Sequence, residues 1–278
     1  VFLFCGQQAA YPSLRTRRTR RAAGVVVSFD LDDTLWPVVP VVEEANQQIA
    51  RAHEELAAEE VFAAMRRLRR QPAWENSSYG DVRCAAYREL LGDESAAEAV
   101  LRQWICARNE AGAIHLYSDV IPCLEGLASS GAMVGAITNG LSNPIEIPQL
   151  SEFFDFCVSA EEETIFPHRK PSPVIFEEAF LRARNLGWTD GSWWHVGDDL
   201  AIDVAAAARL GLRTVYVDRP ERVENRFSLT SAEKLAARQA EADSEPDLTV
   251  SSLRGLADKI QSAEGSESSG TDAKIHQH

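Results

Sequence analysis

The chain has 278 residues, of which 45% are hydrophobic, and it carries a formal net charge of −14 at pH 7. This size allows one core domain plus a subdomain, and the charge argues against nucleic acids and anionic membranes as partners. No apolar run approaches the ~20 residues that a membrane-spanning helix needs. The five cysteines are scattered without C-x-x-C spacing, which favours reduced thiols in an intracellular compartment.

Residues 1–24 differ from the rest of the chain because they contain five arginines and no acidic residue. Residues 25–278, by contrast, carry 23 basic and 42 acidic residues. An acid-free leader with Arg, Ser and Thr resembles the end of a plastid or mitochondrial transit peptide. A basic tail on a cytoplasmic protein is the alternative.

Residues 25–29 (VVVSF) are predicted to form a buried strand because β-branched residues dominate them. Carboxylates follow abruptly at Asp30, Asp32 and Asp33, and in open parallel sheets ligands bind beyond the carboxyl ends of the strands. Asp30 and Asp32 should share one face, where their repulsion calls for a cation or a shared proton. An acidic turn in which Asp33 caps a helix is the alternative.

Apolar residues follow a helical spacing from Val41 to Arg70, and further amphipathic segments follow at 82–91 and 96–107. No strand pattern interrupts these segments. They predict an all-helical cap, residues 37–118, inserted into an α/β protein. Charged residues on helices are usually solvated, but those of the cap that could contact a substrate are His53, Arg83, Arg88 and Arg102.

The α/β pattern resumes at Asp119, which we expect to cap the next helix. Residues 132–137 form the next predicted buried strand, which ends in Thr138-Asn139-Gly140. A hydroxyl and backbone N–H groups at the end of a strand suit a phosphate because they donate without adding negative charge. An ordinary strand-to-loop turn is the alternative.

A third strand is predicted at 156–159, and Lys170 then precedes a prolyl turn and a helix at 174–186. Residues 193–197 form the fourth predicted strand, in which we expect His195 to be a packed residue. The acidic residues that follow this strand are Asp198, Asp199 and Asp203. Carboxylates therefore follow the first and fourth strands alike.

A fifth strand is predicted at 214–217, and residues 248–260 resume a strand-and-helix pattern. Residues 221–245 between them are polar and predict one helix at 231–242. The end of the chain is rich in Ser, Gly and Glu, which is typical of disorder. The predicted parts are the leader at 1–24, the α/β core at 25–36 and 119–262, the cap at 37–118 and a disordered tail at 263–278.

Four motifs occur in a fixed order: D-x-D-x-T from Asp30, a strand ending in Thr138, K-P-S-P from Lys170 and G-D-D-x-x-x-D from Gly197. This ordered set resembles the haloacid dehalogenase superfamily of phosphohydrolases over residues 25–260. The resemblance implies an α/β fold with a Rossmann-like parallel sheet, helices on both faces and a helical cap after the first motif.

By this resemblance Asp30 is the nucleophile and Asp32 is the general acid and base. Thr138, the N–H of Asn139 and Lys170 would hold the phosphoryl oxygens. The Lys170 ammonium would also offset the charge of the nucleophile and the phosphate, which would otherwise repel each other.

The resemblance also implies Mg²⁺ as a cofactor, which suits a site rich in carboxylates. Its ligands would be the Asp30 carboxylate, the Asp32 backbone carbonyl and Asp198. Asp203 is better placed to orient the metal ligands than to bind the ion itself. Asp199 could serve in either role.

The implied function is Mg²⁺-dependent hydrolysis of a small phosphorylated metabolite through an aspartyl-phosphate, by a monomer or a homodimer. Asp32 argues against the haloacid dehalogenases, which attack carbon and need no acid there. A sugar phosphomutase or a non-catalytic scaffold of the same fold are the alternatives. The sequences FDLDDTLW, AITNG and VGDDLAIDV resemble phosphatases that act on flavin-pathway phosphates, such as FMN and 5-amino-6-(5-phosphoribitylamino)uracil.

Overall fold

The structure is a computed structural model that describes residues 24–220 and 245–271. Apart from Gly24, the predicted leader lies outside the described residues, as does the helix predicted at 231–242. Among the described helices, none is both long enough and apolar enough to cross a membrane.

The described strands form one parallel six-stranded sheet in the order β3-β2-β1-β4-β5-β6. They are β1 (Val25–Phe29), β2 (Met133–Thr138), β3 (Phe156–Ser159), β4 (Ser192–Gly197), β5 (Arg213–Val217) and β6 (Leu248–Val250). β1 lies between β2 and β4, so the residues that follow it sit at the centre of the carboxyl edge. The predicted Rossmann-like α/β sheet is confirmed.

Helices cover both faces of the sheet, as predicted. The described helices are α1 (Val38–Ala52), α2 (Ala58–Arg69), α3 (Tyr79–Leu91), α4 (Glu94–Ile114), α5 (Val120–Ser130), α6 (Pro173–Asn185), α7 (Ala206–Ala208) and α8 (Leu256–Thr271). α5 and α8 pack against Val27 and Phe29, and α6 and α7 pack on the opposite face against Val26. This division follows from the alternation of side chains along a strand.

The helices α1 to α4 lie between β1 and the helix α5, and their buried residues form a hydrophobic cluster of their own. The helical region predicted from Val41 to Arg70 is two helices, because α1 ends at Ala52 and α2 begins at Ala58. α1 also begins earlier than predicted, at Val38. Pro40 in its first turn is tolerated because the N–H groups there have no partner within the helix.

The prediction of a disordered tail from residue 263 is wrong as far as Thr271, because α8 continues to that residue. Its middle is attached to the core: Ala263 packs against the sheet cluster, and the indole Nε1 of Trp194 donates to Glu264 at 2.9 Å. Arg213 lies 3.7 Å from the same carboxylate. These distant partners outweigh the polar composition, and residues 272–278 lie outside the described residues.

Asp119 is the N-cap residue of the next helix, α5, as predicted, but its side chain does not cap that helix. Its carboxylate makes no hydrogen bond to α5. It accepts instead from Arg219 Nη1 at 2.7 Å, Ser252 Oγ at 2.6 Å and Leu253 N at 2.8 Å. Burial would raise the pKa of Asp119, but these donors outweigh it and lower the pKa.

We predict that Asp119→Ala lowers the free energy of unfolding by about 3 kcal/mol, because it leaves the buried Arg219 guanidinium without its carboxylate. The contribution of Asp119 is present above its unfolded pKa of about 4 and is lost as the pH falls towards the lower folded value. Urea denaturation at pH 7 measures it. Asp190→Ala at an exposed position is the control, and an equal loss in both variants would contradict the prediction.

Candidate active site

The polar residues predicted at the strand ends meet at the carboxyl edge of the sheet. Asp30 follows β1, Thr138 ends the neighbouring β2, and Asp198 follows β4 on the other side. The backbone N–H of Asp30 donates to the carbonyl of Val196 at 2.8 Å, which holds this residue in line with β4. The three motifs therefore face one crevice because their strands are neighbours.

Lys170 is buried at the centre of this edge, with 2% of its surface exposed. Its Nζ donates to Asp30 Oδ1 at 2.6 Å and to Asp203 Oδ1 at 2.7 Å. The Asn139 side chain fixes the lysine's backbone, because its Nδ2 donates to the carbonyl of Lys170 at 3.0 Å and its Oδ1 accepts from the Lys170 N–H at 2.8 Å. A residue 31 positions earlier thus sets the position of the lysine.

The Thr138 side chain is buried at the end of β2. Its Oγ1 accepts a hydrogen bond from the N–H of Gly140 at 3.0 Å. A hydroxyl oxygen that accepts in this way keeps its own proton for donation. The arrangement suits an anionic oxygen in the crevice.

Three buried carboxylates, those of Asp30, Asp198 and Asp203, each offer an oxygen within 4.8 Å of the others. Burial raises the pKa of Asp30 to about 7, although the Lys170 ammonium acts to lower it. For Asp203, the Lys170 ammonium and the hydrogen bond with His195 outweigh burial and lower the pKa. One ammonium among three carboxylates leaves an excess of negative charge, so this donor set fits a divalent cation that prefers oxygen ligands, such as Mg²⁺.

Asp199 and Asp203 are bonded to each other, because the Asp199 N–H donates to Asp203 Oδ2 at 3.2 Å. Asp199 Oδ1 accepts from the N–H groups of Ala201 and Ile202 at 2.9 and 2.8 Å and so caps the π-helical turn Leu200–Ala205. Asp203 lies in that turn, directly against Gly197. A Cβ on Gly197 would lie 2.3 Å from Asp203 Cγ, so only glycine leaves room for this carboxylate beside Lys170.

His195 is fully buried in β4, as expected of a packed strand residue. Its Nδ1 is 2.9 Å from Ser28 Oγ, and its Nε2 is 3.4 Å from Asp203 Oδ1. Burial lowers the pKa of His195, so the neutral imidazole is favoured at neutral pH. His195 contacts Asp203 but is not among the residues that line the crevice.

The Asp32 carboxylate has different partners from the three clustered carboxylates. Arg108 Nη2 donates to its Oδ1 at 2.8 Å and its Oδ2 at 2.6 Å, and Trp36 Nε1 donates to Oδ1 at 2.9 Å. Sequence reasoning missed Arg108, because the predicted amphipathic segment ended at residue 107 whereas α4 runs to Ile114. Extending the helical spacing of 96–107 by one turn would have brought Arg108 into consideration.

The cap residues that the sequence offered as substrate contacts do not line the crevice. His53 is bonded to Gln103, Arg88 pairs with Glu94, and Arg102 with Glu98, all at the surface. Arg83 is fully buried within the cap, with its guanidinium 3.8 Å from the ring centroid of Trp104. The cap residues that do line the crevice include Arg69, Tyr79, Trp104 and Arg108.

The crevice is a cavity of about 590 Å³ between the cap and the carboxyl edge of the sheet. Asp30, Asp32 and Lys170 are among the residues that line it. This volume is in the range of pockets that enclose most of a drug-sized molecule. The site can therefore hold a leaving group that is considerably larger than a phosphate.

Comparison with known protein families agrees with this geometry. The family model of the haloacid dehalogenase-like hydrolases matches residues 25–211, and a second model of the same kind matches residues 167–256. The chain belongs to the haloacid dehalogenase-like hydrolase family. The matched region contains every residue of the carboxylate cluster and the whole cap.

Two relatives of the chain are phosphatases by name. The glyceraldehyde 3-phosphate phosphatase of Methanopyrus kandleri is 29% identical over 204 residues, which cover 69% of this chain and 83% of that protein. The 5-amino-6-(5-phospho-D-ribitylamino)uracil phosphatase YigB of Escherichia coli is 30% identical over 209 residues, covering 70% and 83%. The chain is a phosphoric monoester hydrolase of this family.

A solved structure of similar fold is the 2-haloacid dehalogenase of Pseudomonas syringae. It superimposes with a TM-score of 0.63, is 24% identical and covers 87% of this chain and 99% of its own. At this identity the likeness concerns the fold alone, and it includes the helices inserted after β1.

We predict that Mg²⁺ affinity rises with pH through about 7 and levels off above about pH 8. A pKa of about 7 means that Asp30 holds a proton below this pH, which the ion must displace. The affinity should be about fivefold weaker at pH 6 than at pH 7, as measured by isothermal titration calorimetry. Asp30→Asn should bind Mg²⁺ more weakly and lose this dependence, and an unchanged pH profile in the variant would contradict the prediction.

Proposed function

We propose that the protein hydrolyses the phosphate monoester of a small metabolite through an aspartyl-phosphate on Asp30, with Mg²⁺ as cofactor. The observation that supports this most is the position of the Asp30 carboxylate, which lies at the end of β1 and 2.6 Å from Lys170 Nζ. An anionic nucleophile can approach an anionic phosphate only where positive charge offsets the repulsion.

In the first step, an Asp30 oxygen forms a bond to phosphorus while the bond from phosphorus to the ester oxygen breaks. The departing oxygen takes a proton from the Asp32 carboxyl group and leaves as an alcohol. Asp32 lines the same cavity as Asp30, two residues further along the chain. Asp30 now carries the phosphoryl group, and Asp32 is a carboxylate.

In the second step, water attacks phosphorus and the bond between phosphorus and Asp30 breaks. Asp32 takes the proton of the water, inorganic phosphate leaves, and both residues return to their starting states. The cap covers the cavity and limits the access of bulk water during the first step.

Thr138, Lys170 and the N–H of Asn139 are proposed to bind the phosphoryl oxygens. Asp30, Asp198 and the backbone carbonyl of Asp32 would hold Mg²⁺, which would offset the negative charge of the phosphate and the carboxylates. Asp203 would position Lys170, because its carboxylate accepts a hydrogen bond from the Lys170 ammonium at 2.7 Å. Asp199 shapes the turn that carries Asp203.

We further propose that the substrate is a flavin-pathway phosphate, either 5-amino-6-(5-phosphoribitylamino)uracil or FMN. The similarity to the Escherichia coli phosphatase and the cavity of about 590 Å³ support this choice. A triose phosphate is the second candidate, because the Methanopyrus kandleri relative acts on glyceraldehyde 3-phosphate. A triose would leave much of the cavity unfilled.

The test is phosphate release from a panel of FMN, 5-amino-6-(5-phosphoribitylamino)uracil, glyceraldehyde 3-phosphate, glucose 1-phosphate and p-nitrophenyl phosphate, with Mg²⁺ or EDTA. We expect Mg²⁺-dependent release that Asp30→Asn lowers by at least about 1,000-fold, because it removes the nucleophile. Asp190→Asn at an exposed site should retain full activity.

Equal turnover in EDTA, or an active Asp30→Asn, would contradict the mechanism. Conversion of glucose 1-phosphate to an isomer without net phosphate release would indicate a phosphomutase. Among the phosphatase substrates, kcat/KM should be at least about tenfold higher for one of the flavin-pathway phosphates than for the triose phosphate. The reverse order would overturn the substrate assignment alone.

A further inference from the structure

The helix α4 carries Arg108 from the cap into the catalytic crevice. Its guanidinium is almost fully buried at the seam between cap and core, with 5% of the side chain exposed. Nη1 donates to Ser142 Oγ, in the loop after β2, at 3.0 Å, and Nη2 donates to both oxygens of Asp32. One cap residue therefore contacts the loops after both β1 and β2.

Two side chains donate hydrogen bonds to Asp32, and both are held in place by α4: Arg108 belongs to this helix, and Trp36 packs against it. Trp36 Nε1 is the second donor, and the Trp36 ring is packed against Gly112 of α4, where a Cβ would lie 3.5 Å from it. A carboxylate with hydrogen bonds to both oxygens cannot rotate freely. About a quarter of the Asp32 side chain remains exposed and faces the cavity.

We propose that Arg108 is a positioning residue that aligns Asp32 with the departing ester oxygen, so that leaving-group protonation requires a seated cap. This inference rests on the proposed function of Asp32 as the general acid. A misplacement of about 1 Å in such a group can cost on the order of 100-fold in rate. The alignment therefore depends on contacts between cap and core, and not on the loop after β1 alone.

Residues other than Arg108 also attach the cap to the core. Asn109, the next residue, donates from Nδ2 to Glu146 Oε2 at 3.1 Å and accepts from the N–H of Asn143 at 3.3 Å. Glu161 of the core accepts from the N–H groups at the start of α3 at 3.0 and 2.8 Å. These contacts attach the cap without contacting Asp32.

The test compares kcat/KM for p-nitrophenyl phosphate with that for the alkyl phosphate of the panel that the wild type hydrolyses fastest. This ratio reports the steps up to phosphoenzyme formation, in which an alkoxide needs a proton and p-nitrophenolate does not. Arg108→Ala should lower kcat/KM about 100-fold for the alkyl phosphate and less than about threefold for p-nitrophenyl phosphate. Arg108→Lys keeps the charge and should recover part of the loss.

Asn109→Ala is the matched control, because it loosens the same seam without touching Asp32. It should change both substrates by less than about threefold, and thermal unfolding should show that all variants are folded. Equal losses on both substrates in Arg108→Ala, no loss on either, or the same selective loss in Asn109→Ala would overturn the inference. A wild type without Mg²⁺-dependent hydrolysis of any alkyl phosphate would instead refute the proposed function.

Discussion

The Lys170 ammonium, held between Asp30 and Asp203 at 2.6 and 2.7 Å, is the interaction on which the rest of the site depends. It is the charge that makes a buried group of carboxylates tolerable at the centre of the sheet edge. Burial nevertheless raises the pKa of Asp30 to about 7, because the single ammonium lowers it by less than burial raises it. The same shortage of positive charge is what a divalent cation would relieve.

The fold was largely predictable because its signals are local. The strands are short apolar runs, and a polar residue ends or directly follows each one, so that parallel pairing brings residues such as Asp30 and Thr138 to one edge. A spacing pattern is enough to place such residues on one side of a sheet. The close fit of Gly197 against Asp203, by contrast, is visible only in the structure.

What the sequence did not reveal depends on contacts between distant residues. Arg108 meets Asp32 across 76 positions, and Asp119 meets Arg219 across 100, so no local pattern signals either pair. The tail after residue 263 was misjudged for the same reason, since Trp194 binds Glu264 across 70 positions. In each case a tertiary partner decided what a polar side chain does, and local sequence suggested a helix cap for Asp119, disorder for the tail and nothing for Arg108.

The most direct test of the central claim is a crystal structure of the protein with Mg²⁺ and beryllofluoride, which mimics a phosphoryl group on a carboxylate. The account predicts beryllium bonded to an Asp30 oxygen, one Mg²⁺ shared by Asp30 and Asp198, and Lys170 in contact with a fluoride. Beryllofluoride away from Asp30, or a metal ion that does not bind both Asp30 and Asp198, would contradict it.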